Sequence, residues 1–339
     1  MSPATRAIRT GVALSRLDHV LPLGVYGPHA ADVVDRLVPR ALYLRDGAMA
    51  PTLLLREDGS ILADVTVVAD DADFVLLVEG LDADALLAHV RSFVRDDEDV
   101  ELRPMWERYA LYAVTGPYAW ELMEDLAGPE ILGLPFLNAV VVGEDICFRT
   151  GKTGEWAYQL LVPSELAEAR WDDLLRLGAR FGAVEASAAA LDAAALENGF
   201  FVVRVEALRT LSPVEAQMMW CLTPTKDGYV GADATRAALA EPPARRLTYA
   251  LADTDVPAGS TVVADDRVGV VLHTLPSGAG FLALLALDTP YAHPGLTLDA
   301  GGVTLRTISA PAVPNLSLAL DPQQHRFATR ERDFPAWFS

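Results

Sequence analysis

Asp64 is the first residue whose type and position suggest chemistry. It lies in the apolar run 61–68, where strand alternation places Leu62, Thr66 and Val68 on the same face as Asp64. A carboxylate held in apolar surroundings has a raised pKa, so it can exchange a proton with a bound molecule or stabilise a transient positive charge. The alternative is that this face is a polar stripe exposed to solvent.

Lys152 and Lys226 are the only lysines of the chain, and every other basic side chain is an arginine. Lysine provides a compact ammonium whose pKa responds to its surroundings. Lys152 could bind a ligand carboxylate or an anionic ligand tail or, if desolvated, act as a base or an imine-forming amine. The alternative is an exposed cation in a surface loop. For Lys226 we expect pairing with an acid or an anionic tail.

Metal and disulfide chemistry have little support in the sequence. The six histidines show neither HxxxH nor HxH spacing, and Cys147 and Cys221 do not form a CxxC motif. We therefore predict no metal site, and we expect each cysteine to be a small buried apolar residue.

The composition argues against several functional classes. The 339 residues include 47 acidic and 27 basic side chains, which gives a formal charge of −20. Such a charge repels nucleic acid and anionic membranes, so neither is an expected partner. No apolar run approaches the ~18 residues of a membrane span, and residues 1–20 lack the apolar core of a signal peptide. These features predict a cytoplasmic protein of about two domains.

One structural unit occurs twice. Segments 27–37 and 116–126 share a Gly-Pro pair and apolar positions at one constant offset. Each follows an apolar strand candidate, and each Gly-Pro turn opens a helix. Further strands and an amphipathic helix follow each copy. The sequence therefore predicts an α+β fold with duplicated halves at about 15–95 and 105–185.

The remaining chain is predicted to contain a connecting segment, 186–241, and a C-terminal β-barrel domain, 245–339. The alanine-rich stretch 186–196 favours a helix, and Glu241-Pro242-Pro243 marks a boundary. Beyond it, short β-branched runs separated by Gly, Pro and Asp are typical of a small antiparallel barrel or sandwich. Three aromatic residues at the end of the chain predict that it docks on the domain: Phe334, Trp337 and Phe338.

Seven short segments occur in an order typical of one protein family. They are 25–37, Gly59-Ser60-Ile61-Leu62-Ala63-Asp64, Val114-Thr115-Gly116-Pro117, Gly151-Lys152-Thr153-Gly154-Glu155, Arg204-Val205-Glu206-Ala207, Ser212-Pro213-Val214-Glu215-Ala216 and Asp227-Gly228-Tyr229-Val230-Gly231. Together they resemble the glycine-cleavage T-protein (aminomethyltransferase) superfamily of folate-dependent one-carbon transferases. The resemblance implies two related α+β lobes, formed by 1–241, and a C-terminal β-barrel around a central tetrahydrofolate pocket.

The resemblance also assigns residues to this pocket. Asp64 takes the position of the acid that faces the reacting folate nitrogen, and Lys152 is the second expected catalytic residue. The expected cofactor-binding residues are Glu79, Glu155, Tyr158, Gln159 and Arg204. Three of them have a structural alternative: Glu155 as a turn acid binding backbone amides, Tyr158 as a core aromatic, and Arg204 as a salt-bridge partner. Other aromatic residues that could stack on a flat ring are Tyr118, Trp120, Trp156 and Trp220.

Four pocket positions depart from the family pattern. Lys152 and Pro51 replace tyrosines, Glu79 replaces an asparagine, and Gln159 replaces the glutamate that pairs with the pterin. An amide cannot accept from two donors as a carboxylate does, so Gln159 implies weaker or differently oriented pterin binding. The segment that begins at Lys226 lacks the cysteine typical of the folate-binding proteins of iron–sulfur cluster maintenance, which sets that group aside.

Three functions remain open. The leading hypothesis is a tetrahydrofolate-dependent methyl or methylene transferase or demethylase that acts on a small molecule. The second is a T-protein-like scaffold repurposed for a folate-independent reaction or for ligand binding, with Lys152 and Asp64 as its polar groups. The third is a non-catalytic folate-binding or regulatory module. A lipoyl carrier protein has no support as a partner, and we expect a monomer or a weak homo-oligomer.

Overall fold

The computed structural model describes residues 2–278 and 280–333. The predicted docking of Phe334, Trp337 and Phe338 lies outside these residues. Within the described chain, no helix is both long and apolar enough to cross a membrane.

Seventeen strands and eight α-helices form in the described residues. The helices are α1 (Pro3–Thr10), α2 (Ala30–Leu37), α3 (Ala83–Arg91), α4 (Ala119–Ala127), α5 (Ala167–Gly178), α6 (Ala188–Glu197), α7 (Ala232–Ala240) and α8 (Arg330–Asp333). The strands are β1 (Ala13–Arg16), β2 (Val20–Tyr26), β3 (Met49–Leu55), β4 (Ile61–Asp70), β5 (Asp73–Glu79), β6 (Glu101–Pro104), β7 (Tyr109–Thr115), β8 (Ala139–Val142), β9 (Asp145–Phe148), β10 (Ala157–Pro163), β11 (Val184–Glu185), β12 (Arg245–Ala252), β13 (Thr261–Val263), β14 (Arg267–Ser277), β15 (Gly280–Asp288), β16 (Thr297–Ala300) and β17 (Val303–Ile308).

Two sheets repeat one strand order. The first runs β3-β4-β5-β2-β6, and the second runs β8-β9-β10-β7-β1-β11. In each repeat a Gly-Pro turn leads from the first strand, β2 or β7, into a helix, α2 or α4. Gly116 has a φ of +133°, and a Cβ there would lie 2.3 Å from the Gly11 carbonyl oxygen, so this turn requires glycine. The predicted duplication and the α+β fold class are confirmed.

The two sheets exchange the strands that precede each repeat. β1 precedes the first repeat but pairs antiparallel with β7 in the second sheet. β6 precedes the second repeat but pairs antiparallel with β2 in the first sheet. Backbone hydrogen bonds therefore link the two repeats in both directions, which fixes one sheet relative to the other.

An apolar layer fills the space between the two sheets. Val68 and Leu77 from the first sheet pack with Leu111, Phe148 and Leu161 from the second. The residues that alternate with them on the other face of the first sheet, such as Val67 and Leu76, are buried in a separate core, so this sheet is covered on both faces. The layer ends where polar residues follow on the same strand faces.

The C-terminal strands close into a barrel in the order β12-β15-β14-β13-β16-β17, as predicted. Leu282 and Leu284 of the barrel share an apolar core with Phe201 and Val203. The barrel therefore anchors the segment that leads into Arg204, a candidate pocket residue.

Arg9 joins separate parts of the chain. Its guanidinium is only 4% exposed and donates to the Thr153 carbonyl at 2.5 Å and to the Ala194 carbonyl at 2.9 Å. It also binds the Glu197 carboxylate at 2.9 Å and the Asn315 side-chain oxygen at 3.2 Å. A buried cation requires such partners because its removal from water is costly. Helix α1 therefore holds the loop before β10, helix α6 and the segment after the barrel in one arrangement.

Arg9→Ala is expected to lower the free energy of unfolding by about 3–5 kcal/mol, because it leaves Glu197 buried without a cationic partner. Arg6→Ala, at an exposed position of the same helix, is the matched control and should leave stability nearly unchanged. Urea unfolding followed by circular dichroism measures both variants. Equal midpoints for the two would contradict the role given to Arg9.

Candidate functional site

Two adjoining pockets, which we call the inner and the outer lobe of the candidate cavity, open where the apolar layer between the sheets ends. The inner lobe has an empty volume of about 790 Å³ and is lined by both sheets and helix α6. The outer lobe has an empty volume of about 1060 Å³. Both volumes include the space at the openings. The residues that line both lobes, and so form their boundary, are Asp64, Thr66, Thr150, Gly151 and Lys152.

Two carboxylates stand side by side at this boundary. Asp64 on β4 is the direct cross-strand partner of Glu79 on β5. Like charges directly opposite each other in a sheet are destabilising. Lys152 resolves the conflict because its Nζ binds Asp64 Oδ2 at 2.7 Å and Glu79 Oε1 at 2.9 Å. Asp64 is only 7% exposed, so its strand face is not a solvent-exposed stripe.

The ion pairs continue into the inner lobe. Arg204 Nη1 donates to Glu79 Oε2 at 2.5 Å. The same guanidinium binds Asp192 on α6 through both Nη2 and Nε. Five charged groups thus form one chain of alternating sign, which we call the ion chain: Asp64, Lys152, Glu79, Arg204 and Asp192. Its bonds join two strands, two loops and a helix.

The ion chain shifts the pKa values of its members in different directions. Burial raises the pKa of Asp64, and the nearby Lys152 only partly opposes this. Burial also acts to raise the pKa of Glu79, but Lys152 and Arg204 together lower it to about 2. Although burial acts to lower the pKa of Lys152, the two carboxylates raise it above its usual value. Lys152 is therefore a firmly held cation, and Asp64 is the carboxylate of this pair that protonates more readily.

The loop that carries Lys152 is fixed on both sides. Gly154 has a φ of +80°, and a Cβ there would lie 2.4 Å from Asn198 Oδ1, so only glycine fits. Glu155 accepts hydrogen bonds from the Leu316 and Ser317 amides at 3.1 and 2.8 Å. The loop thus presents Lys152 to the cavity from a rigid frame.

Two expected cofactor-binding residues lie outside the cavity lining. Glu155 is turned toward the segment after the barrel, and its carboxylate is satisfied there. Tyr158 is fully buried in the core of the second sheet, with Trp120 and Leu160. Both residues therefore match their structural alternatives: Glu155 binds backbone amides, and Tyr158 is a core aromatic residue. By contrast, Asp64, Glu79, Lys152, Gln159 and Arg204 all line the inner lobe.

Lys226 has a separate role. It lies at the end of α2, where its Nζ donates to the main-chain oxygens of Asp35 and Val38 at 2.7 and 2.8 Å and pairs with the Asp35 carboxylate at 2.8 Å. Cations stabilise the carbonyl end of a helix. The predicted pairing with an acid is confirmed, and Lys226 lines neither lobe.

The outer lobe has an aromatic wall. Trp220 and Phe136 are 49% and 56% exposed, and both line this lobe. Trp220 packs edge-to-face on Phe200, with ring centroids 6.1 Å apart. Concave apolar surface beside a few polar groups is typical of a small-molecule site. Of the aromatic residues considered for stacking, Trp220 lines the outer lobe, whereas Tyr118 and Trp120 are fully buried in the second-sheet core.

Two titratable residues of the inner lobe were missed by sequence reasoning. Asp192 could have been identified from the sequence, because it is the one charged residue in the alanine-rich stretch 186–196. His19 lies directly before β2, and it lines the inner lobe because Val20 pairs with Glu79. No spacing in the sequence distinguishes His19 from the other histidines. Among the described residues, no cluster of three or more His, Cys, Asp or Glu side chains is arranged to hold a metal ion.

Relatives match nearly the whole chain. The family model described as the GCVT N-terminal domain matches residues 3–226. The chain belongs to the glycine-cleavage T-protein family. Aminomethyltransferases of Corynebacterium aurimucosum and Chlorobium chlorochromatii are 30% and 28% identical to it, over 87% and 93% of this chain and 84% and 90% of theirs. The crystal structure of the glycine cleavage system aminomethyltransferase T from Bartonella henselae has a TM-score of 0.82 at 23% identity, covering 91% of this chain and 88% of that one, which supports the fold.

Two of the four departures expected from the sequence resemblance contact each other. Lys152 and Glu79, which the resemblance places at a tyrosine and an asparagine position, form the 2.9 Å ion pair. Either change alone would leave a charge without this partner. The two departures are therefore physically coupled.

Lys152→Met is expected to lower the free energy of unfolding at neutral pH by about 1–3 kcal/mol, because Asp64 and Glu79 are left side by side. Burial raises the pKa of Asp64 and Lys152 opposes this, so removal of Lys152 raises the Asp64 pKa further above its unfolded value. The loss is therefore present at neutral pH and shrinks as the pH falls through that raised value. Unfolding titrations at several pH values measure this.

A double-mutant cycle with Glu79→Gln isolates the pair. The double variant should be more stable than the sum of the two single losses predicts, because neither charge is left alone. The exposed pair Arg103 and Glu101, with an N···O distance of 2.6 Å, supplies the control cycle and should show much weaker coupling. Additive losses for Lys152 and Glu79 would contradict the coupling.

Proposed function

We propose that the protein is a tetrahydrofolate-dependent one-carbon transferase that moves a methyl or methylene group between the folate and a heteroatom of a small molecule. Membership of the T-protein family and the aminomethyltransferase relatives support a transferase at the family level. The observation that carries the proposal is the two-lobed cavity with Asp64 at its boundary. One lobe receives the folate ring, the other receives the small molecule, and the carbon passes between them beside Asp64.

The inner lobe has polar groups that fit the edge of a pterin. The Gln159 amide, the His19 imidazole and the Thr66 hydroxyl line it, and none forms a hydrogen bond with another described residue. Polar groups in such a position require partners from a ligand or from water. The Gln159 amide supplies both a donor and an acceptor, as the ring edge of a pterin requires. Tetrahydrofolate therefore fits the donor set of this lobe.

The residues of the ion chain have separate roles in this proposal. When bound, tetrahydrofolate supplies the nitrogen that carries the one-carbon group. Asp64 stabilises positive charge at the boundary where the carbon passes. Lys152 fixes the orientation of Asp64. Arg204 is held by Glu79 and Asp192, so it stabilises the ion chain and does not bind a ligand carboxylate. Holding both reactants in line lowers the barrier by positioning.

A second candidate is a folate-independent reaction or ligand. The Lys152–Glu79 pair favours it, because this pair fills two positions of the family pocket with charges that satisfy each other. In that case Lys152 contacts the ligand directly, and Lys152→Ala is the more damaging variant for activity.

Tetrahydrofolate and its 5-methyl and 5,10-methylene forms are expected to bind with micromolar affinity in calorimetric titrations. Gln159→Glu should tighten this binding severalfold, because a carboxylate forms stronger hydrogen bonds with the pterin donors. The exposed Gln323→Glu is a charge-matched control and should bind as the wild type does. Failure of every folate form to bind at millimolar concentration would rule out the transferase proposal.

Asp64→Asn is expected to bind tetrahydrofolate as the wild type does but to lose about 10²–10⁴ in the rate of transfer, because a neutral amide cannot stabilise the positive charge that develops where the carbon passes. Mass spectrometry of the folate product, with a panel of methylated small molecules as donors, measures the rate. Asp70→Asn, at an exposed acid on the same strand, is the control. Unchanged turnover in Asp64→Asn would remove Asp64 from the mechanism.

A further inference from the structure

His19 is a partly buried imidazole that lines the inner lobe. It is held at the start of β2, where the Val20 amide donates to the Leu17 carbonyl at 3.0 Å. The ring forms no hydrogen bond with another described residue. Its nitrogens are therefore available to a molecule in the cavity.

The charged groups around His19 already form ion pairs with each other. Four of them act on the ring: Glu79 on β5, Asp192 on α6, Arg204 in the segment after α6, and Lys152 in the loop before β10. All four belong to the ion chain. His19 differs from them because, among the described titratable side chains that line the inner lobe, it is the one without an ion pair or hydrogen bond.

The surroundings of the imidazole favour its neutral form. Burial lowers the pKa of His19 below its usual value, and the positive charge of Arg204 lowers it further. Glu79 and Asp192 oppose this effect only in part. A neutral imidazole has a free lone pair, which is what a proton acceptor requires.

One-carbon transfer requires such an acceptor. When a methyl group passes from a donor heteroatom to an acceptor nitrogen, one carbon–heteroatom bond breaks and one carbon–nitrogen bond forms. The acceptor nitrogen loses a proton and the donor heteroatom gains one, so no oxidant or reductant is needed. Asp64 already accepts a hydrogen bond from Lys152, and the Gln159 amide is not basic at neutral pH.

We propose that His19 is a catalytic proton acceptor: its ring nitrogen takes the proton that leaves the acceptor nitrogen in the inner lobe, while the heteroatom that released the carbon takes its proton from solvent at the opening of the outer lobe. This inference rests on the proposed function. It gives Asp64 and His19 separate roles. Asp64, held by Lys152, stabilises charge at the boundary, and His19 accepts the proton in the inner lobe.

Nuclear magnetic resonance tests this without turnover. Protein with ¹³C-labelled histidine is titrated with acid when free, with tetrahydrofolate and with 5-methyltetrahydrofolate; His19→Gln assigns the His19 resonance. Only tetrahydrofolate presents an N–H at the reacting nitrogen, and a hydrogen bond accepted by His19 favours its neutral form. The His19 midpoint should therefore lie roughly half a pH unit to one unit lower with tetrahydrofolate than with the 5-methyl form. The exposed His293 should titrate alike in both complexes.

The outcomes separate the two proposals. If both folates bind and the His19 midpoint is the same in both complexes, the role of His19 is overturned and the proposed function stands. If neither folate binds, the proposed function fails, and the role of His19 fails with it.

Kinetics provide a second measurement. With any donor that supports transfer, His19→Ala should lower the rate about 10²–10⁴-fold, and added imidazole should restore part of it in proportion to its neutral form. The wild-type rate should rise with pH through the lowered pKa of His19, because the neutral ring is the acceptor. His293→Ala should behave as the wild type does. A wild-type rate in His19→Ala would overturn the proposal.

Discussion

The architecture of the site depends on one ammonium group held between two carboxylates. The hairpin of β4 and β5 sets Asp64 and Glu79 directly opposite each other, and two ionised acids at this spacing repel strongly in a partly buried site. Lys152 makes this pairing stable. The rest of the ion chain continues from it, since Glu79 binds Lys152 through one carboxylate oxygen and Arg204 through the other.

Such an arrangement requires a frame that does not move. The exchanged strands β1 and β6 tie the two sheets together, and the apolar layer between the sheets sets their spacing. Arg9 and Glu155 fix the loop that delivers Lys152, through bonds to α6 and to the segment after the barrel. Because these supports lie outside the cavity, the cavity itself can keep polar groups free for a ligand.

The charges of the cavity nearly cancel. The ion chain contains three carboxylates and two cations, so its net charge is −1 when all five are ionised and zero when Asp64 is protonated. Burial favours the protonated form of Asp64, so the chain is one proton away from neutrality. Three inner-lobe side chains that form no hydrogen bond with another described residue carry a neutral polar group: the His19 imidazole, the Gln159 amide and the Thr66 hydroxyl. A ligand in the inner lobe therefore meets hydrogen-bonding groups rather than an unpaired charge.

Local patterns in the sequence determined the elements of this protein. The repeated Gly-Pro turn, the alternation around Asp64 and the spacing of β-branched runs near the C-terminus depend on neighbouring residues, and they predicted the duplication, the strand face and the barrel. The family motifs directed attention to Asp64, Glu79, Lys152, Gln159 and Arg204, which share one lobe of the cavity. Glu155 and Tyr158 belong to the same motif, but their side chains lie on other faces of the loop and strand.

The tertiary structure alone decided which charges meet. Lys152 is 88 residues from Asp64 and 73 from Glu79, and Arg204 is 125 from Glu79, so no local pattern encodes their contacts. Their pairing, and the freedom of His19, follow from how two sheets, a helix and two loops converge, because hydrogen bonds and Coulomb interactions depend on distance in space and not along the chain.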